Sequence, residues 1–178
     1  MSESQPALRY GRTAIALHWT VAVCLTAAVT LGLWMASLDR GVTQDNLFAI
    51  HKSVGLLILV LMLGRLGWRA THPAPELPPM PAVQRHLARV THVLLYAIAI
   101  AMPISGYVAV TARGRETLFF GMFAVPQWVE PNRALAHTAE TVHYISQYVL
   151  YALVAAHVGA ALYHQFIVRD HLLRRMWR

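Results

Sequence analysis

Along this chain polar and charged residues gather into clusters, and between them run four almost unbroken apolar stretches, near residues 13 to 38, 47 to 68, 90 to 112 and 141 to 168. Each is long enough to cross a bilayer, whose hydrocarbon core of ~30 Å takes about 20 helical residues. With the flanking turn signals added, they predict helices over about 13–38, 47–68, 83–112 and 136–168. The Asp39, Arg40, Gly41 turn ends the first helix, so the first two are antiparallel neighbours across a short connection. Five of the nine prolines fall between Thr71 and Pro81; lacking backbone donors, that stretch predicts an extended connector. Pro103, within MPISGY, predicts a kink in the third helix, since its ring removes one hydrogen bond and crowds the preceding turn. The longest connection, Thr111 to about Ala139, carries Phe119, Phe120, Phe123 and Trp128 beside Gly121, Pro126 and Pro131, which predicts a short segment lying on the membrane surface. The predicted fold class is all-α: an integral membrane four-helix bundle, with residues 1–178 as a single membrane domain and no soluble domain, internal repeat or low-complexity tract.

Composition removes the soluble alternatives. The chain has 178 residues, 57% hydrophobic and 13% charged, against roughly 25% charged in a soluble domain. A net charge of +7 would suit nucleic acid if one soluble face carried it, but the charges sort by connection instead. Arg9, Arg12, Arg65, Arg69, Arg85, Arg89, Arg169, Arg174, Arg175 and Arg178, with Glu3, Glu76 and Asp170, leave one side at +7. On the other side Arg40, Lys52, Arg113, Arg115 and Arg133 balance Asp39, Asp45, Glu116, Glu130 and Glu140. By the positive-inside rule both termini face the cytoplasm, and no nucleic-acid partner is expected. The first helix reads as a retained span, because its apolar run exceeds twenty residues and is too long for a cleaved signal peptide. Cys24 is the one cysteine; it permits no internal disulfide, cysteine-ligated cluster or covalent C-x-x-C-H haem attachment, and reads as a small core residue.

The ten histidines carry the candidate chemistry. His143 and His157 are fourteen residues apart, about four helical turns, so both imidazoles return to nearly one face ~21 Å apart. His18 lies near the cytoplasmic end of the first helix and His51 near the outer end of the second. Depth therefore pairs His18 with His157 in the inner leaflet and His51 with His143 in the outer. Ionisable groups in lipid are costly, and two stacked b haems, each held non-covalently between two imidazoles, account for all four. Gly55, Ala155, Ala156, Gly159 and Ala160 leave room for a flat ring, and Gly32, fourteen residues after His18, predicts a gap at the outer level. Arg65, fourteen residues after His51, is predicted to pair with a haem propionate at the inner level, with Lys52 its outer counterpart. His92 and His164 fall just below the inner pair; either they serve a quinone head group or they bond water and lipid headgroups. His72, His86 and His171 read as solvated, and His137 competes with His143, at a spacing that is not the H-E-x-x-H zinc motif. A proton relay or another metal site are the alternatives to haem for the set.

ALHW around His18, HKSVG around His51, HLARVTHVLLY around His92, MPISGYV, and the His143 to His157 step followed by AALYH with His164 together resemble the small bacterial cytochrome b561 proteins over nearly the whole chain. The resemblance implies a four-helix di-haem cytochrome of the bacterial inner membrane, in which His18, His51, His143 and His157 ligate the two haems. It implies electron transfer between a periplasmic partner and the quinone pool. Some members look like superoxide oxidases that reduce ubiquinone, so the implied partners are ubiquinone and either superoxide or a periplasmic redox protein. Superoxide is an anion, and Lys52, Arg113, Arg115 and Arg133 are candidates to steer it; the Arg113, Gly114, Arg115 run also reads as an ordinary solvated helix end. No nucleophile with a base, phosphate loop or carboxylate pair is evident, so if the chain is an enzyme it is an oxidoreductase whose chemistry belongs to the haems. The rivals are a haem-anchoring subunit serving a periplasmic dehydrogenase or cytochrome c, and a histidine-based proton channel or transporter.

Overall fold

Each apolar stretch forms a helix long and apolar enough to cross a membrane, in a computed structural model that describes residues 9–76, 79–170 and 172–177. Helix α1 is Arg12–Ala36, α2 Val42–Thr71, α3 Ala82–Thr111 and α4 Arg133–Tyr163. A π-helical turn, His164–Val168, continues α4, and a short 3-10 helix follows at Leu172–Met176. The chain is an all-α membrane four-helix bundle.

Two helix starts differ from the expected ones, each for a capping reason. Helix α2 begins at Val42 rather than near Leu47: Asp45 sits in its first turn, where the helix dipole favours an anion. Gln44 also reaches back with Nε2 to Met35 O (3.1 Å) and Leu38 O (3.2 Å), satisfying carbonyls left over at the end of α1. Helix α4 begins at Arg133 rather than near Ala136 because Asn132 Oδ1 accepts from Leu135 N at 3.0 Å, a side-chain N-cap. Helix α3 runs continuously through Pro103.

The long connection between α3 and α4 is more ordered than a plain surface segment. Strands β1, Leu118–Phe119, and β2, Phe123–Ala124, pair antiparallel as a hairpin. Phe120 (φ 47°) and Gly121 (φ 73°) turn it in the left-handed region, which costs a bulky residue about 1–2 kcal/mol. Ser53 of α2 offsets that cost. It is fully buried, its Oγ accepts from Phe120 N at 2.9 Å, and it lies 3.0 Å from Ala49 O and 3.3 Å from Leu118 O. Tyr107 OH likewise donates to Pro126 O (2.6 Å) and accepts from Trp128 N (3.1 Å).

Packing is uneven around the bundle. Val21 and Ala28 of α1, Ile58 and Met62 of α2 and Ala99 of α3 form one buried cluster, with Cys24 packed against it. Helix α4 packs on α3 but makes no comparable packing with α1 or α2. Outward-facing Val23, Val60 and Ile145 are more than half exposed, as side chains that face lipid tails are. At one end three segments meet: Tyr10 N donates to Arg175 O (3.3 Å), Trp19 Nε1 to Met176 O (2.8 Å) and Arg175 Nη2 to Glu76 O (2.7 Å). The start of α1, the α2–α3 connector and the C-terminal turn thus share this basic end. Glu3, His171 and Arg178, named with it above, lie outside the described residues.

Candidate functional site

Helix α4 faces α1 and α2 through histidines rather than through packed apolar side chains. His157 of α4 and His18 of α1 stand with ring centroids 6.1 Å apart and planes 71° apart. At the level farther from the basic end, here called the outer one by the expected topology, His143 of α4 and His51 of α2 stand 6.2 Å and 80° apart. Two metal–imidazole bonds of about 2.0 Å, plus about 1.1 Å from each nitrogen to its ring centre, would separate the centroids of two imidazoles sharing one metal by about 6.2 Å. Both pairs fit a single iron between them. Among the described residues no three His, Cys, Asp or Glu side chains converge as a metal-binding group, so the histidines meet in pairs and not as a zinc-type cluster.

The outer pair is held from behind. His51 Nδ1 lies 3.0 Å from Ala28 O and His143 Nδ1 2.9 Å from Met102 O. Both rings therefore donate through Nδ1 to a carbonyl and leave Nε2 for a ligand, the tautomer a metal-binding histidine needs. Ser105 Oγ donates to the same Met102 carbonyl at 2.7 Å and sits 3.3 Å from His143 Nδ1. Two glycines let the rings lie this close to neighbouring backbones. A Cβ on Gly106 would stand 3.0 Å from His143 Nδ1, and one on Gly32 would stand 3.4 Å from His51 Cε1. Gly32 thus lies at the outer level but makes room for the His51 ring itself, rather than leaving a gap beside it. At Gly55 and Gly159 a Cβ would meet nothing within 4 Å.

The inner pair is built differently. Arg65 Nη1 lies 3.0 Å from His18 Nδ1, and its guanidinium sits over Tyr96 at 5.4 Å. Arginine has only donors, so His18 Nδ1 accepts in this arrangement. His92 packs edge-on against His157 with centroids 5.3 Å apart, its Nδ1 2.6 Å from Ala88 O. His164 lies elsewhere: it is buried in the π-turn with Nδ1 2.6 Å from Asp170 Oδ2. The structure therefore brings His92, but not His164, into contact with the inner pair. Lys52 Nζ reaches Glu116 O at 3.2 Å and lies over Phe48.

The remaining histidines are peripheral. His72 and His86 are exposed, His72 stacking flat on Trp68 at 3.7 Å. His137 is exposed and leaves the outer level to His143. It lines a cavity of about 610 Å³ between the end of α3 and the start of α4, together with Arg113, Arg115, Asn132 and Arg133. Arg113 is ion-paired with Glu140 across this gap, whereas Arg115 and Arg133 make no ion pair among the described residues. Sequence reasoning missed Gly106, Ser105 and the carbonyls of Ala28 and Met102. MPISGY marks the first two; nothing in a side-chain pattern marks a carbonyl.

Comparison with known proteins agrees with this architecture. The family model described as prokaryotic cytochrome b561 matches residues 9–178. The chain is 34% identical to cytochrome b561 homolog 2 of Escherichia coli K12, over 99% of this chain and 95% of that one. It is 31% identical to the probable superoxide oxidase CybB of Yersinia pestis (94% and 95%) and 31% identical to cytochrome b562 of Cereibacter sphaeroides (95% and 95%). The chain thus belongs to the prokaryotic cytochrome b561 family, as a multi-pass protein of the bacterial inner membrane that transfers electrons by means of b-type haem.

Proposed function

We propose that this chain carries electrons from the outer side of the membrane to the quinone pool through two non-covalent haem b groups. Residues 1–178 act as one membrane unit with both termini in the cytoplasm. The observation that carries the reading is the pair geometry: two imidazole pairs, each at the centroid spacing of two imidazoles sharing one metal, at two levels of one bundle. Bound there, haem supplies reversible one-electron chemistry at iron.

The protein's part is to hold, orient and shield. His18 and His157 hold the inner group, His51 and His143 the outer. The carbonyls of Ala28 and Met102 fix the outer rings in the ligating tautomer. For His18 to ligate through Nε2 its proton sits on Nδ1, so Arg65 gives up that contact. Its guanidinium, already at the inner level, then takes a propionate carboxylate. Lys52 takes the outer propionate in exchange for Glu116 O. His92, against the inner pair, and His164 serve the quinone on the basic side.

We read superoxide as the donor and ubiquinone as the acceptor, which makes the chain an oxidoreductase of the superoxide:quinone type. The outer cavity supports this, since Arg115 and Arg133 bring positive charge without a bound carboxylate to where a small anion must approach. A relative's name, probable superoxide oxidase, supports it too. A haem-anchoring subunit for a periplasmic redox protein is the second reading, favoured by the exposed apolar surface of Met122, Phe123 and Trp128 at the same end.

Extraction should give about two haems per chain, and His157→Ala about one, with the remaining site still low-spin. Colourless protein refutes the proposal, and two haems retained in His157→Ala refute the ligand assignment. Rapid mixing with superoxide should reduce the haems in the absence of quinone; no reduction leaves the partner-protein reading standing.

A further inference from the structure

Below the inner pair the backbone of α4 changes course, and the change builds a second constellation. Residues His164–Val168 form a π-turn, a geometry that recurs at functional sites. Arg169 then takes a left-handed conformation (φ 59°), which a non-glycine residue adopts at a cost of about 1–2 kcal/mol. The reversal swings Asp170 back onto His164: Oδ2 lies 2.6 Å from Nδ1, while Oδ1 accepts from Leu172 N at 3.0 Å. The histidine side chain is 11% exposed and the aspartate 23%, so the aspartate is the more open end of the pair. The next residue, Gln165, has a buried Oε1 with no hydrogen-bond partner among the described residues. It lines an apolar cavity of about 300 Å³ with Phe166, Leu173, Arg174 and Trp177. A buried acceptor without a donor is costly, and a quinol hydroxyl is such a donor.

We propose that Asp170 and His164 form a proton-donating pair for the quinone, a role that rests on the quinone reading above. Asp170 accepts the Nδ1–H, which fixes the ring and leaves Nε2 as the working nitrogen. A proton arriving at Nε2 from basic-side water makes an imidazolium whose charge the adjacent carboxylate compensates through the Nδ1–H hydrogen bond. Each quinone takes two electrons through the inner site and two protons. At each proton transfer the Nε2–H bond breaks, an O–H bond forms on the reduced quinone, and the neutral imidazole is reloaded from water. His164 is the donor, Asp170 the positioning residue, and Gln165 Oε1 the acceptor for the quinol hydroxyl.

Asp170→Asn removes the charge and one of the two acceptors: its single oxygen can meet the His164 Nδ1–H or the Leu172 N–H, and its amide NH2 takes the other place. The test is stopped-flow oxidation of pre-reduced holoprotein by two acceptors, a short-tailed ubiquinone, which needs protons, and ferricyanide, which does not. Oxidation by ubiquinone should slow roughly 10- to 100-fold, within the range of general acid catalysis, with ferricyanide oxidation and the haem spectrum unchanged. Asp170→Glu should restore most of the rate. Equal slowing with both acceptors, or a ubiquinone rate within twofold of the parent protein, overturns the proposal. Parent protein that ferricyanide oxidises and ubiquinone does not refutes the quinone reading itself.

Discussion

Gly106→Ala separates the fold from the site, because its two effects have opposite signs. Gly106 lies inside α3, where alanine is favoured over glycine by up to about 1 kcal/mol. Its Cβ, however, would stand 3.0 Å from His143 Nδ1 and 3.1 Å from Cε1, about half an ångström inside ordinary contact. Neither neighbour yields freely. The glycine is backbone in a continuous helix, and the ring is held to Met102 O at 2.9 Å. Moving the ring weakens that hydrogen bond, worth about 1 kcal/mol net, and overpacking adds about 1–3 kcal/mol. In the haem-free protein the ring can turn aside for the loss of that one bond, which the helix gain offsets; a ring held in place by haem keeps the overpacking, so the outer site should bind haem about 1–3 kcal/mol less tightly, roughly 5- to 160-fold, with the apoprotein about as stable as the parent. Haem release to apomyoglobin, followed by absorbance, should show one fast and one unaltered phase. Gly67→Ala, where a Cβ meets nothing within 4 Å, is the control and should leave both phases alone. Parent-like release in Gly106→Ala would show that His143 does not hold haem in this position.

Two further outcomes follow from the outer end. Replacing Arg115 and Arg133 together by glutamine should lower the superoxide rate about tenfold at low salt and remove most of its ionic-strength dependence; a salt-insensitive parent rate refutes steering. Ser53→Ala removes both the acceptor of Phe120 N and the donor at Leu118 O, together about 1–3 kcal/mol at the net worth of two hydrogen bonds, on a hairpin already carrying a left-handed phenylalanine. Hydrogen exchange at residues 118–124 should then speed up by tenfold or more with α2 unaffected, and unchanged exchange means the serine does not pin the turn.

The spans and the histidine pairs were legible for one reason: both are periodic. An apolar run of about 20 residues and a fourteen-residue step survive any detail of packing, so His18, His51, His143 and His157 could be sorted by depth. What escaped depends on non-periodic geometry. The early start of α2 follows from Gln44 reaching across the turn to α1, and the hairpin from Ser53, sixty-seven residues before Phe120. His164 shows the same limit. A seven-residue step from His157 puts it on the inner-pair face if α4 stays α-helical, but the π-turn begins at that residue and hands its ring to Asp170.

The two levels also differ in a way that bears on the direction of electron flow. Each outer ring gives its Nδ1–H to a carbonyl, which makes the imidazole a stronger electron donor and favours oxidised iron. At the inner level the neighbour is a cation, Arg65, 3.0 Å from His18 Nδ1. Adding about 4 Å across the ring and the iron–nitrogen bond puts the guanidinium about 7 Å from the metal position. At an effective dielectric of about 20 a unit charge there is worth about 2 kcal/mol, on the order of 100 mV for one electron. That distance is the one before ligation; with Arg65 turned to a propionate, as proposed above, the sign is kept, since removing the arginine leaves an uncompensated carboxylate. On the proposed two-haem reading both effects set the inner potential above the outer, the order that inward electron flow needs. Arg65→Leu should lower one of the two midpoint potentials by several tens of millivolts in a redox titration, leave the other within error, and slow reduction of quinone by superoxide. Two unshifted potentials would remove the charge argument, and a shift confined to the haem lost in His51→Ala would reverse the assignment of Arg65 to the inner level.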